Sequence, residues 1–263
     1  MSTPRALVLR AAGTNCESET ERALRMAGAQ AEVLHLDRLL AEPQRLEELE
    51  ILVFAGGFSY GDDVAAGRVW GLELRHGLAD PLANYIARGG LALGVCNGFQ
   101  VLVESGLFDA CDEEGQRDIA LTFNESNHYE CRWVTLEALD CACPWIVAGE
   151  TMPVPVAHAE GRFVVRDERT LERLVAQGQI ALRYTTAAGG DEVPYPLNPN
   201  GSLSNIAGIC DPSGRVLGLM PHPERNLDPW AHPLWTRMGE RDEGEGLAFY
   251  RRLVECAADQ LVS

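Results

Sequence analysis

Lysine is absent from the 263-residue chain, and all 22 of its basic side chains are arginine. That excludes a lysine Schiff base and a Walker-type phosphate loop, both of which need an ammonium at the reacting group. Positive charge is scarce altogether. Against 39 acidic residues the formal net charge is −17, which argues against nucleic acid as a partner, because a polyanion needs a basic patch. Long apolar runs are also missing: Arg, Asp, Glu or Gly interrupts each one well short of a membrane span. The opening residues, "MSTPRALVLR", enter a strand-like run with no signal-peptide h-region, so no membrane association and a cytoplasmic location are expected.

Eight cysteines stand at positions 16, 96, 111, 131, 141, 143, 210 and 256. Their spacing forms no disulfide framework, and reduced thiols are expected. "DCACP" sets Cys141 and Cys143 close together, but no CxxC or HxxxH pair supplies further ligands, so no metal site is expected.

Apolar residues make up 46% of the chain and charged residues 23%, an ordinary globular balance. No repeat, low-complexity tract or linker divides it, so residues 1–263 read as a single domain. The first half alternates: "RALVLR" strand, "CESETERALRMAGA" amphipathic helix, "AEVLHL" strand, a third strand ending at Gly56-Gly57, a partly helical stretch, then "LALGV". This pattern predicts an α/β fold with a mostly parallel central sheet flanked by helices. The second half carries short β-prone runs, "ECRWVTLEAL", "PVPVAHAEGRFVV", "QIALRYTTAAGG", "SNIAGIC" and "GRVLGLMPHPE", which predict a mixed β extension. "PYPLNPNGS" reads as a fixed loop, and "EGEGLAFYRRLVECAADQL" as a closing amphipathic helix.

Three places carry candidate chemistry. In "LALGVCNGFQVL" a strand breaks at Cys96 and a helix resumes at once. A thiol there lies at the helix N-terminus, whose unpaired N–H groups favour a thiolate, and Gly94 and Gly98 permit the sharp turn of a nucleophile elbow. A buried cysteine in a tight βα turn fits the same residues. In "GLMPHPERN" His222 sits between two prolines, with Glu224 two residues on and able to point the same way in an extended segment. An incidental histidine in a proline-rich turn is the alternative. In "FAGGFSYGDD" the glycine pair ending a strand offers open backbone N–H groups, as an oxyanion hole requires, or is a simple glycine turn. Of the other histidines, His35 and His76 lie far from any such signal, and His128, His158 and His232 are weaker candidates.

"GVCNGFQ" together with "MPHPE" resembles the class I (triad) glutamine amidotransferases, which have a flavodoxin-like fold. "GGFSYGDDVAAG", "NESNHYECRW", "AHAEGRF" and "YPLNPNGS" are similar to motifs in the glutaminase components of phosphoribosylformylglycinamidine synthases. The resemblance runs from about Leu7 to the last helix. It implies Cys96 as nucleophile, His222 as base, Glu224 as its partner, Gly57 and Asn97 as oxyanion donors, and Gln100 as a contact to glutamine. It implies no cofactor on this chain. ATP and Mg²⁺ belong to a partner, a formylglycinamidine synthetase, with or without a small bridging subunit. Ala159 and Tyr129 stand where the family carries Gly and Phe, and neither is expected to touch the triad. The segment "NLDPWAHPLWTRMGERDEG" is long for a stand-alone subunit and resembles the single-chain form. A cysteine peptidase or other thiol hydrolase would keep Cys and His but not "GVCNGFQ" with "HPE". A non-catalytic subunit would not need all three triad residues.

Overall fold

The computed structural model describes residues 3–108, 117–186, 190 and 193–261. Cys111 and residues 187–189 of the "QIALRYTTAAGG" run lie outside them. In chain order the elements are β1 (Arg5–Arg10), α1 (Glu17–Met26), β2 (Gln30–His35), α2 (Leu36–Ala41), β3 (Ile51–Phe54), α3 (Arg68–Gly77), α4 (Ala79–Ala87), β4 (Leu91–Val95) and α5 (Asn97–Ser105). There follow β5 (Ile119–Phe123), β6 (Glu130–Ala138), β7 (Thr151–His158), β8 (Glu160–Val165), α6 (Glu168–Ala176), β9 (Ile180–Thr185), β10 (Ile206–Cys210), β11 (Val216–Leu219) and α7 (Glu245–Gln260).

Nine strands form one sheet in the order β2-β1-β3-β4-β11-β10-β9-β6-β7. From β2 to β11 every pairing is parallel, and from β11 to β7 every pairing is antiparallel. The parallel strands are continuous apolar runs: all of "ILVF" in β3 and "LALGV" in β4 is buried, as strands covered on both faces must be. β6 and β7 instead alternate along part of their length, which marks the one-sided sheet of the extension. Helices pack in pairs, α1 with α7 and α3 with α5. Trp70 of α3 lies against Phe54 of β3, with ring centroids 6.1 Å apart, and Phe99 of α5 meets Phe108 edge-on at 5.5 Å.

The run "PVPVAHAEGRFVV" is two strands rather than one. β7 ends at His158, and β8 leaves the large sheet to pair with β5. β5 and α6 are elements that the residue pattern did not announce. "PYPLNPNGS" is fixed by its own amides: Asn198 Oδ1 accepts from the N–H of Gly201 and Ser202 at 3.1 Å, and Asn200 Nδ2 donates to Gly161 O at 2.8 Å. Among the described residues no helix is long and apolar enough to cross a membrane.

Candidate active site

The parallel register places the carboxyl ends of β3, β4 and β11 side by side. Phe54 pairs with Gly94, and Leu219 with Val95. The residues that follow those ends, Gly56-Gly57, Cys96 and His222, therefore gather at one edge, where ligands collect in open parallel sheets.

Cys96 is the N-cap of α5 and takes φ 52° and ψ −110°, a left-handed conformation that costs a residue with a Cβ on the order of 1–3 kcal/mol. Such strain persists only where the surroundings enforce it. Here the close approach of helix to sheet does so: a Cβ on Gly98 would fall 1.9 Å from Phe54 O, and one on Gly94 2.6 Å from Gly98 O. The Cys96 side chain is 5% exposed, and its Sγ lies 3.7 Å from Ala157 O of β7. At the start of α5 the Asn97 N–H has no intrahelical acceptor. Gly57, at φ 149°, sits where a Cβ would collide with Thr14 and Asn15 at 2.7 Å. Neither the Gly57 nor the Asn97 backbone N–H donates to a partner among the described residues.

His222 Nδ1 lies 2.6 Å from Glu224 Oε1, and both side chains are buried. Because the carboxylate only accepts, Nδ1 carries the proton. The expected extended segment is corrected here: Pro223–Arg225 is a single 3₁₀ turn, and the turn, not strand alternation, swings Glu224 back onto the ring. The turn is clamped from three sides. His222 N donates to Pro155 O at 2.9 Å, Asn226 Nδ2 donates to Pro153 O at 2.7 Å and Glu245 Oε2 at 2.8 Å, and Arg22 forks onto Asp228 at 2.8 and 3.0 Å. Burial alone would lower the basicity of His222, but the Glu224 carboxylate, then the neighbouring Cys96 and Cys16 thiols, outweigh it and hold the imidazolium well above its ordinary pKa. The Nε2 atom has no hydrogen-bond partner of ordinary length.

Gln100 lies one turn along α5 from Cys96. Its amide oxygen accepts from Asn97 Nδ2 at 2.9 Å, and its amide nitrogen donates to Glu160 O. Asn97 Oδ1 in turn accepts from Ser59 N at 3.1 Å, so the two amides tie α5 to the segment that follows Gly57.

Sequence reasoning passed over Cys16. It is the N-cap of α1 and is buried, and its Sγ accepts from Arg225 Nη2 at 3.0 Å and donates to Asn15 Oδ1 at 3.2 Å. Donor atoms of Cys16, His222 and Glu224 all lie within 4.8 Å of one another, the one grouping of three potential metal ligands among the described residues. Two of those three residues are already joined by the imidazole–carboxylate bond. The signal was present in the sequence: "LRAAGTNCESE" repeats the strand, turn, cysteine and helix order of the Cys96 elbow.

Tyr129 is nearer the site than expected. Burial raises the pKa of its hydroxyl first, and the adjacent Cys96 charge raises it further, while its ring stacks on Phe58 with centroids 6.2 Å apart. His158 is also close, at the end of β7, buried with Nδ1 3.1 Å from Asn124 Oδ1. His35 caps α2, His232 lies edge-on to Trp133 at 4.7 Å, and neither joins the cluster.

A thiol on a strained elbow beside a buried imidazole–carboxylate pair is the equipment of a thioester-forming hydrolase. Residues 3–256 match the profile of the CobB/CobQ-like glutamine amidotransferase domain. The chain belongs to this amidotransferase family. The phosphoribosylformylglycinamidine synthase subunit PurQ of Dehalococcoides mccartyi is 41% identical to the amidotransferase over 258 residues, spanning 98% of this chain and 99% of that protein. The Methanococcus maripaludis protein of the same name is 43% identical over 232 residues, spanning 88% and 85%. A chain in the structure of PurLQS from Thermotoga maritima superposes with a TM-score of 0.70 at 30% identity, covering 99% of the amidotransferase and 100% of that chain. A glutamine amidotransferase from the same organism, at 14% identity and a TM-score of 0.53 over 98% and 100% of the two chains, shares the fold. The long segment after Arg225 is therefore no mark of a single-chain enzyme, since the Dehalococcoides relative, covered over 99% of its length, is named as a subunit.

Proposed function

We propose that this chain is the glutaminase of a phosphoribosylformylglycinamidine synthase, releasing ammonia for the conversion of formylglycinamide ribonucleotide to formylglycinamidine ribonucleotide in purine biosynthesis. The observation that carries this reading is the Cys96 elbow beside the buried His222–Glu224 pair, in a chain 41% identical to a named PurQ over 98% of its length.

In this mechanism the Cys96 sulfur attacks the side-chain amide carbon of glutamine. The Gly57 and Asn97 amides receive the oxyanion, each such donor contributing roughly 10²–10³ in rate. His222 enters as the imidazolium, the form its surroundings favour, and protonates the departing ammonia. As the neutral base it then draws a proton from water, and hydroxide attack on the γ-glutamyl thioester releases glutamate and restores the thiol. Glu224 balances the imidazolium charge and fixes the tautomer. Gln100 braces Asn97, and its remaining amide hydrogen and lone pair are what it offers to bound glutamine.

Ammonia in water becomes ammonium and loses its nucleophilic lone pair, so it has to pass directly to the site that consumes it. The partner is a formylglycinamidine synthetase that uses ATP and Mg²⁺, joined in the assembly by a small bridging subunit. This chain itself binds no cofactor. The reaction belongs in the cytoplasm, where reducing conditions keep Cys96 a thiol. The test is reconstitution with the synthetase, ATP and Mg²⁺, following amidine formation from glutamine and from ammonium chloride. Glutamine supports the reaction, and Cys96→Ala leaves only the ammonium-driven rate. A complex that turns over with ammonium but never with glutamine refutes the assignment.

A further inference from the structure

The "DCACP" cysteines lie away from the catalytic edge. β10 runs antiparallel to β11, so Cys210 at the end of β10 stands at the opposite end of the sheet from Cys96 and His222. Its backbone N–H donates to Gln179 O at 2.8 Å, and its Sγ lies 3.5 Å from Gly178 O. The same Gly178 carbonyl accepts from Ala142 N at 2.8 Å, and a Cβ on Gly178 would sit 3.6 Å from Cys141 Cα. Cys141 and Cys210 thus converge on one residue from two segments distant in sequence, close enough for each thiol to shift the acidity of the other. Cys141 is half-buried and Cys210 fully buried. Both are free, as is every other cysteine among the described residues. The interaction divides their acidities. The Cys210 contact, opposed by burial, pushes the Cys141 thiol down to about 7, while the same contact together with burial pushes Cys210 far up. Cys143, two residues along the chain, is buried, and burial pushes its thiol well up.

We propose that Cys141 and Cys210 form a peroxide-sensitive dithiol that closes to an intrachain disulfide at the end of the sheet remote from the glutaminase site. Cys141, the half-exposed member, meets the oxidant. Its thiolate sulfur attacks one oxygen of hydrogen peroxide; the S–O bond forms, the O–O bond breaks, and the departing hydroxide takes up a proton to become water. Cys141 is then a sulfenic acid, oxidised by two electrons as the peroxide is reduced. The Cys210 sulfur attacks the Cys141 sulfur; the S–S bond forms, the S–O bond breaks, and the hydroxyl leaves as water with the Cys210 proton. Two thiols and one peroxide give one disulfide and two waters. A thiol reductant returns both cysteines to the dithiol. The bridge joins the turn after β6 to β10 and constrains the unfolded chain over the whole stretch between them, so the oxidised protein is the more heat-resistant form.

The test treats the full-length protein with stoichiometric hydrogen peroxide, alkylates the remaining thiols and maps peptides without reduction. A Cys141–Cys210 cross-linked peptide is expected, reversed by dithiothreitol, with a higher melting temperature for the cross-linked protein. In Cys210→Ser the cross-link disappears and Cys141 accumulates as a sulfenic acid that dimedone traps, whereas Cys143→Ser retains the cross-link. A map in which Cys141 stays a thiol, or joins Cys143 or Cys256 instead, overturns the proposal without reference to any variant.

Discussion

Glu224 Oε1 stands 2.6 Å from His222 Nδ1 although the two residues are separated by a single proline, because the 3₁₀ turn folds the carboxylate back under the ring. With both side chains excluded from solvent, the ionic form of the pair has no water to lean on, and the charge of Glu224 supports the imidazolium. Glu224→Gln keeps the volume and removes that charge. The ring then loses its proton at a lower pH, so any step that needs the imidazolium as proton donor fails at a lower pH than in the parent. General acid–base catalysis contributes roughly 10²–10⁴ in rate, and a fall in kcat toward the lower end of that range is expected. The check is the pH profile of glutaminase turnover, with the alkaline limb displaced to lower pH. An unchanged kcat and profile would sink the role given to Glu224.

Cys16 supports the same ring from another element. Its thiol lies against Arg225 at 3.0 Å and adds to the basicity of His222, while Arg225 is also held by Glu19 at 3.2 Å. Cys16 touches no reacting atom in the proposed chemistry and is a positioning residue. Cys16→Ala removes one support of the imidazolium and so lowers the His222 pKa. The alkaline limb of the pH profile moves to lower pH, and kcat falls by about tenfold or less, short of the roughly 10²–10⁴ that general acid–base catalysis contributes in all, with little change in KM. Cys16→Ser, which keeps a donor and an acceptor, restores most of the rate. Equal losses in the Ala and Ser variants with an unmoved pH profile would reduce Cys16 to a packing residue.

How far the sequence led depended on whether a feature was local. The first strands of the parallel half were legible as short apolar runs alternating with helical patterns, and the Cys96 elbow was legible because Gly94 and Gly98 lie two residues either side of the cysteine. The physical need for those glycines, a backbone carbonyl from β3 less than 2 Å from any Cβ at Gly98, was not legible, since Phe54 is far away in the chain. Cys16 escaped notice for the same reason: nothing near it names His222 or Arg225 as its neighbours, and only the repeat of the strand–turn–cysteine order hinted at them. The convergence of Cys141 and Cys210 on Gly178 depends on the antiparallel register of β9 and β10, which no spacing rule reports. The His222–Glu224 pairing was reached through extended geometry, whereas the proline after His222 starts a turn.

His158 gives the protein a built-in weakness to acid. Asn124 Nδ2 donates to the carbonyls of His128 and His158, which fixes that amide's orientation and leaves its Oδ1 as acceptor for His158 Nδ1 and Gly161 N. His158 is therefore the Nδ1–H tautomer with Nε2 buried and without a partner. Burial first, and then the charge of His222, push its pKa down to about 3. In the unfolded chain the ring titrates near 6.5. Above that pH the ring is neutral in both states, and the stability associated with it is fully present. As the pH falls through 6.5 the unfolded chain gains a proton that the folded ring refuses until about 3, so folding stability drops by about 1.4 kcal/mol per pH unit across that window, up to about 5 kcal/mol in all. His158→Gln keeps a donor for Asn124 but cannot take up the proton. Urea unfolding at pH 7.5, 6 and 5 should show the parent most superior to the variant at pH 7.5 and losing that advantage step by step toward pH 5. A difference between the two proteins that stays constant with pH would mean that His158 titrates alike in the folded and unfolded chains.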